Sequence, residues 1–349
     1  MNNENQLPFS SRINNNTLAS IFNHKVATYK FYWFLGIIEE AEQGRKQIEK
    51  KRIFSRMIAN AWYPINYFRI SFGVQDNIND IIQYLVKETQ LSINEDKTKI
   101  YSFLFNNENK EINKALQHLD KNVPHWFLSP WFKGSTKHKI YEKSNANDDY
   151  SIYKLDKELI TINDNWFSYI TQNAKILKDF TYWNLALFLQ NRNPLIPDIV
   201  NKLIKPAKRN ALTYQRNNFW NIYLNEKNDV RCIFTNEKLD VYNYQLDHFV
   251  PYSWVSHDLI WNLVPILSRF NSSKNNKLPS IDKHFDSFFN IQNDALNLLD
   301  NRLKKRFREE YITIFKSYNT PKDFNYQKLK ETIEPQISVA YNNGFDFLK

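Results

Sequence analysis

Glycine is scarce in this chain. Five occur in 349 residues, where ordinary usage of roughly 7% would give about 24. None stands in a GxxxxGK or GxGxxG frame, which argues against a P-loop or a Rossmann dinucleotide site and excludes collagen-like and β-solenoid repeats. Cysteine is scarcer still: Cys232 is the single one, so neither an intramolecular disulfide nor a cysteine-built zinc site can form. Long apolar runs are also missing. The longest, Phe31 to Ile38, falls far short of the roughly 20 residues that span a bilayer. The opening MNNENQLPFSSR has no apolar signal core. The expectation is a soluble, cytoplasmic protein with no membrane partner.

What the chain does have is positive charge and aromatic rings. Lys and Arg total 47 against 37 Asp and Glu, a formal net charge of +10, and aromatics make up 16% of the residues. The aromatic content gives ample core, and the surplus of cations favours an anionic partner, nucleic acid before a membrane surface.

Hydrophobic patterning predicts a helical first half. Thr17 to Glu42 is apolar on nearly every face in its middle, the pattern of a helix buried on most sides. The basic GRKQIEKKR leads to a second helix, IFSRMIANAW, that Pro64 should stop. Further helices are expected at Asp76–Glu88, capped by Asp76 or Asn77, and at Lys110–Leu119. PHWFLSPW reads as a packed loop. HKIYEK, YSIYKLD and ELITI between Lys137 and Ile162 read as short β-runs around the turn KSNANDD. Asn165–Gln190 reads as one long helix, and PDIVNKLI as a short one. The stretch after Ile204 sets Lys205, Lys208, Arg209 and Arg216 among Tyr214, Phe219 and Trp220. That interleaving suits phosphate neutralisation and equally an ordinary amphipathic helix with a solvated basic side.

The chemistry is concentrated in RCIFTNEKLDVYNYQLDHFVPYSWVSHDLIWNLVPILSRFNSSKNNKLPS, residues 231–280. It reads as a β-run ending at Asp247-His248, a loop turned at Pro251, a turn carrying Asn262, and a helical Asn271-x-x-Lys274. Phosphodiester hydrolysis needs a base for water and a cation for the charge on the phosphate and leaving oxygen. Asp247 and Asn271 offer the oxygen ligands Mg²⁺ prefers, and that ion keeps several waters of its own. His248 would point to the opposite face of the strand from Asp247. Asp258 reads as an N-cap for the DLIWN turn, His257 as a surface loop residue and His284 as structural.

These residues resemble the HNH (ββα-metal) endonuclease motif: YQLDHFVP for its first block, WNLVP for its middle Asn, NSSKNNKLPS for its closing helix. The Asp-His…Asn…Asn variant is similar to bacterial restriction and phage-defence HNH nucleases and to the HNH domain of CRISPR RNA-guided effectors. The resemblance implies His248 as general base, Asp247 and Asn271 as ligands of one Mg²⁺ (or Mn²⁺), and Asn262 bracing the loop that bears His248. It places Lys274 near the phosphate, with Arg231, Arg269 and Lys277 as further nucleic-acid contacts. Many family members carry paired CxxC motifs for a structural zinc; here Thr235, Ser268 and Phe270 occupy those regions, so no structural zinc is expected and the domain must rest on its own core. The candidates are Phe234, Leu239, Tyr244, Leu246, Trp254, Trp261, Leu263 and Val264.

The expected fold class is mainly α with a small β component. A flexible arm (1–16) precedes a mostly helical domain (17–204) with a β appendage near 137–162, an HNH nuclease domain (205–300) and a basic helical segment (301–349). The function implied is Mg²⁺-dependent hydrolysis of double-stranded DNA in a bacterial restriction or anti-phage role, with a homodimer or a defence-system protein as companion. A catalytically silent nucleic-acid-binding protein with an HNH fold and an RNA-directed nuclease are the alternatives.

Overall fold

The helix Tyr29–Glu42 is the axis of the first half, its aromatic and aliphatic residues from Phe31 to Ile38 all out of solvent. Such burial on all sides follows from the run itself, which offers no polar face. The computed structural model describes residues 7–146, 150–203 and 211–349. The start of the arm, the turn at 147–149 and the basic run with Lys205, Lys208 and Arg209 lie outside the described residues. The described chain forms two compact units, one up to Pro194 together with the short helix Ile199–Lys202, the other from Leu195–Asp198 and the chain after residue 210.

In the first unit Tyr29–Glu42 packs on Lys50–Asn66, which packs in turn on Lys97–Asn106. Gly36 lets the first two helices approach: a Cβ there would stand 2.8 Å from Ile53 Cγ2 and 3.3 Å from Arg56 Cβ. Two buried charges of this core, Glu40 and Lys50, are paired. Glu40 accepts from Arg45 (2.8 Å) and Arg56 (2.7 Å). Buried Lys50 donates to Asp120, the Tyr141 hydroxyl and the Lys157 carbonyl. Pro8 O accepts from Asn15 and from Tyr169, so residues 8–15 lie against this unit.

Several elements differ from the sequence pattern. Thr17–Glu42 is not one helix: Asn16–Ala19 is separated from Tyr29–Glu42 by a turn in which Thr28 donates twice to buried Asp76 (2.6 Å each), whose other oxygen caps Ile78. Pro64 does not stop its helix but sits in the last turn, where only the Asn60 carbonyl loses its donor. HKIYEK is helical within Lys137–Ala146, because Ile140 and Ser144, four apart, supply the buried face. Pro124–Phe127 is a helical turn rather than a loop. Asn173 divides the expected long helix into Asp164–Gln172 and Ala174–Arg192.

The sheet here is three-stranded and antiparallel. Gln47–Glu49 (β1) and Tyr153–Leu155 (β2) flank Leu159–Ile162 (β3), with Ile48 opposite Ile160 and Tyr153 opposite Ile162. Its third strand thus comes from the basic linker, not from HKIYEK, and Ile160, Ile162 and Leu155 are fully buried.

The second unit is built on the antiparallel pair Tyr244–His248 (β4) and Leu263–Leu267 (β5), with His248 opposite Leu263 and Asp247 opposite Val264. Ser268–Lys274 packs on both strands, and the helices Ile281–Leu299, Lys305–Phe315 and Tyr326–Asn342 complete the unit. The protein is therefore mainly α with a small β component. Most of the expected core of this half is buried; Phe234 is only half-buried, lodged between the rings of Phe270 and His284.

Gly36→Ala should lower the thermal midpoint of unfolding. Overpacking costs about 1–3 kcal/mol, against about 1 kcal/mol gained from alanine's helix propensity. An unchanged or raised midpoint in a calorimetric scan would mean that the two helices part freely.

Candidate active site

The pleat of β4 sorts its residues: Tyr244, Leu246 and His248 face inward, while Gln245 and Asp247 face the helix Ser268–Lys274. That helix supplies the two partners on the outer face. Asn271 Nδ2 donates to Gln245 Oε1 (2.7 Å), and Lys274 Nζ lies 2.7 Å from Asp247 Oδ2. Lys274 also donates to the His248 carbonyl at 2.7 Å and is wholly buried. Its approach to Asp247 is an ion pair rather than a well-directed hydrogen bond.

His248 is buried, and its Nε2 meets two acceptors, Asp258 Oδ1 at 2.9 Å and the His257 carbonyl at 3.1 Å. Facing two oxygens, Nε2 must carry the ring proton in the neutral form, which leaves the lone pair on Nδ1. Nδ1 has no partner among the described residues. Tyr252 packs edge-on against the ring at 5.4 Å.

The loop after His248 is closed by one side chain. Asn262 Oδ1 accepts from Val250 N–H and its Nδ2 donates to Val250 C=O, both at 2.9 Å, while Phe249 N–H donates to the Asn262 carbonyl. Asn262 is fully buried, so both amide ends are matched by backbone. The chain then turns through Tyr252–Val255 and through Ser256, a non-glycine residue at φ 59°, which directs Asp258 back to His248.

Asp258 is therefore not the expected N-cap of the following turn. Leu259 takes that position, and the orphan Ile260 N–H donates to Glu310 Oε2 at 2.6 Å, from a helix fifty residues further on. Gln292 adds a second tie: its Nε2 donates to the carbonyls of Ile260 and Leu263, and its Oε1 accepts from Tyr311. His257 is no surface residue in its chemistry either. Burial, then the neighbouring His248, hold its imidazole down to about 4, and it lies against Trp261. The ten-residue spacing of Asp258 from His248 was the available signal for a dyad, and the loop path had to be known to use it.

The remaining expected contacts are mostly engaged within the chain. Arg216 donates to Tyr244 O and stacks on that ring at 4.3 Å. Arg231 pairs with Asp229 and donates to Asn236 O, and Arg269 pairs with Glu237. The exposed Lys277 has no side-chain partner among the described residues.

Metal fit rests on oxygen donors. Among the described residues no group of three or more His, Cys, Asp or Glu could hold an ion. Asp247 is partly exposed and Asn271, its Nδ2 committed to Gln245, keeps Oδ1 without a partner among the described residues. Two hard oxygen donors are of the kind that Mg²⁺ or Mn²⁺ takes. Where other folds of this size place a zinc knuckle, backbone bonds close the loop here: Cys232 N–H to Glu237 O, Asn236 N–H to Cys232 O, and Leu239 N–H to Val230 O.

Residues 232–280 match the family model described as HNH endonuclease. No curated protein and no solved structure matches the chain. The matched segment holds β4, β5, the Asn262 brace and the helix Ser268–Lys274, so the site just described lies within an HNH domain.

Asn262→Ala should leave the buried N–H and C=O of Val250 unpaired, at about 1–3 kcal/mol for each group. A urea titration should show the midpoint falling, with Asn262→Asp, which keeps one acceptor, falling less. His257 adds a pH dependence. Free imidazole takes a proton near 6.5 and this one near 4, so the unfolded chain binds more protons between those values. Stability should drop as pH falls from 6.5 to 4, and His257→Phe should flatten that slope in denaturation curves.

Proposed function

We propose that this chain, which carries an HNH endonuclease domain over residues 232–280, hydrolyses phosphodiester bonds of double-stranded DNA with His248 as general base. An HNH domain is a nuclease module, so the substrate class is nucleic acid. The observation that carries the assignment of the base is the pair of acceptors on Nε2, Asp258 and the His257 carbonyl, which leaves Nδ1 with a lone pair and no partner among the described residues. A general base needs such a nitrogen, oriented by a third group. Asp258 is then a positioning residue: it fixes the tautomer and matches the charge when Nδ1 takes the proton of the attacking water.

HNH nucleases typically use a divalent metal. Asp247 and Asn271 would hold it here, Mg²⁺ or Mn²⁺, and when bound it supplies positive charge to the scissile phosphate and the leaving oxygen. Lys274 works from behind. Its ammonium fixes the Asp247 carboxylate and the His248 backbone, rather than reaching for phosphate from the surface. Asn262 holds the turn that sets the distance between β4 and the loop of Asp258. Lys277, Arg231 and Arg269, with Lys205, Lys208, Arg209 and Arg216, remain candidates for contacts along the DNA.

One such centre cuts one strand, so a double-strand break needs a homodimer, a second engagement or a companion protein. The restriction or anti-phage role in a bacterial cytoplasm rests on resemblance alone, and the helical domain at 17–204 would there select DNA or receive the trigger.

The test is supercoiled plasmid with Mg²⁺, beside an EDTA control. Wild type should nick or linearise it, and His248→Ala should lose about 10²–10⁴ in rate. Asp258→Ala should lower kcat with little change in KM, and Asp258→Asn, which keeps an acceptor for Nε2–H, should recover part of it. Cutting that survives His248→Ala removes the base assignment. RNA cut in preference to DNA in a side-by-side competition would move the substrate to the other backbone. Binding of DNA without cutting, at any metal, would favour a silent HNH fold.

A further inference from the structure

Beside the first residue of β4 lies an open groove of about 640 Å³ whose lining includes Arg231, Glu237, Lys238, Tyr242, Asn243 and Arg269. Arg269 pairs with Glu237 and Arg231 with Asp229, which leaves Lys238 as the lining cation without a side-chain partner among the described residues. Tyr242 is 95% exposed, and neither its ring nor its hydroxyl has a partner among the described residues. Its backbone is nevertheless fixed. Asp240 Oδ1 accepts from the N–H groups of Tyr242 (2.7 Å) and Asn243 (3.1 Å), while Asn243 Oδ1 accepts from Asp240 N–H. A large ring held in water on a braced turn, beside a groove that carries the lysine Lys238, presents an aromatic face that no described residue covers.

The groove and the proposed active site share the helix Ser268–Lys274: Ser268 and Arg269 line the groove, and Asn271, two residues further on, bonds Gln245 of β4. From Tyr244 to Asp247 is three strand steps, about 10 Å. From this juxtaposition we infer that the groove is a subsite for an unpaired nucleotide flanking the scissile phosphate, its base stacked on Tyr242 and its phosphate met by Lys238. This rests on the nuclease reading and adds a substrate preference to it: single-stranded or locally opened DNA over closed duplex at this position. Stacking suits the role because every base has a π-face, so it needs no particular sequence.

The experiment is equilibrium binding by fluorescence anisotropy with the full chain in EDTA, so that affinity is read without hydrolysis. The probes are a labelled single-stranded DNA and the same sequence as a duplex. Tyr242→Ala should weaken single-strand binding roughly 5- to 100-fold, the range base–aromatic stacking supplies, and duplex binding much less. Tyr242→Phe, which keeps the ring, should bind as wild type. Lys238→Ala should weaken both probes and reduce the slope of log affinity against log salt by about 0.7–0.9. Single-strand affinity unchanged in Tyr242→Ala overturns the inference, as does a loss as large in Tyr242→Phe. If wild type binds neither probe, the subsite falls. Plasmid cutting that depends on His248 while binding ignores Tyr242 overturns the subsite and leaves the nuclease reading standing.

Discussion

The site depends on one buried ammonium. Lys274 Nζ, wholly out of solvent, stands 2.7 Å from both Asp247 Oδ2 and the His248 carbonyl. A cation in that place is costly unless matched, and removing a partner from such a pair typically costs 3–5 kcal/mol (about that in other proteins). The requirement runs in both directions. The ammonium needs the carboxylate, and in meeting it ties the end of β4 to the helix Ser268–Lys274, where Asn271 is carried. The spacing of Asp247 and Asn271 is thus set by a charge that must be buried in one register and no other, since a one-residue slip of β4 would turn Asp247 inward and expose His248.

Around this pair, polar side chains do the work that a structural metal does in other small domains. Asn262 closes the turn after His248, Gln292 bonds two carbonyls on either side of that asparagine, and Glu310 takes the orphan N–H of Ile260. Each is buried and each satisfies backbone that no strand or helix partner reaches. Burial raises the Glu310 carboxyl above its usual range, opposed by the Ile260 N–H and Arg306. The helices Ile281–Leu299 and Lys305–Phe315 therefore belong to the architecture of the site, though no residue of theirs resembles a catalytic one.

The central motif was legible because its signals are local. The strand ending at His248, the turn at Asn262 and the helical Asn271-x-x-Lys274 all stand where the sequence puts them, since pattern and turn chemistry act within a few residues. What the sequence hid was long-range. Lys274 reads as a solvated or phosphate-facing cation until the strand beneath it is known, and Asp258 reads as a cap because Glu310, which takes the N–H instead, is fifty residues away. The first unit shows the same division. Its buried helix is evident from Phe31–Ile38, but the strand Gln47–Glu49 sits in a basic stretch without β character and forms only because β3 offers it an edge. Ile140 and Ser144 made a helix of HKIYEK because the buried face there is spaced by four, whereas the eye follows alternation.

Two histidines nine residues apart have different surroundings, and the difference bears on which of them would serve as the proposed base. His257 is stripped of its proton affinity by burial and stays neutral down to about 4, lending His248 only its backbone carbonyl. His248 has a carboxylate on one ring nitrogen and, among the described residues, nothing on the other. A proton arriving at Nδ1 therefore creates an imidazolium that faces Asp258, with no charged histidine beside it, while the nearby Lys274 is already matched by Asp247. Were His257 charged at working pH, the imidazolium would meet a like charge at close range, in a medium where such repulsion is weakly screened. Placing His257 against Trp261 thus keeps a second charge away from the histidine proposed as the base.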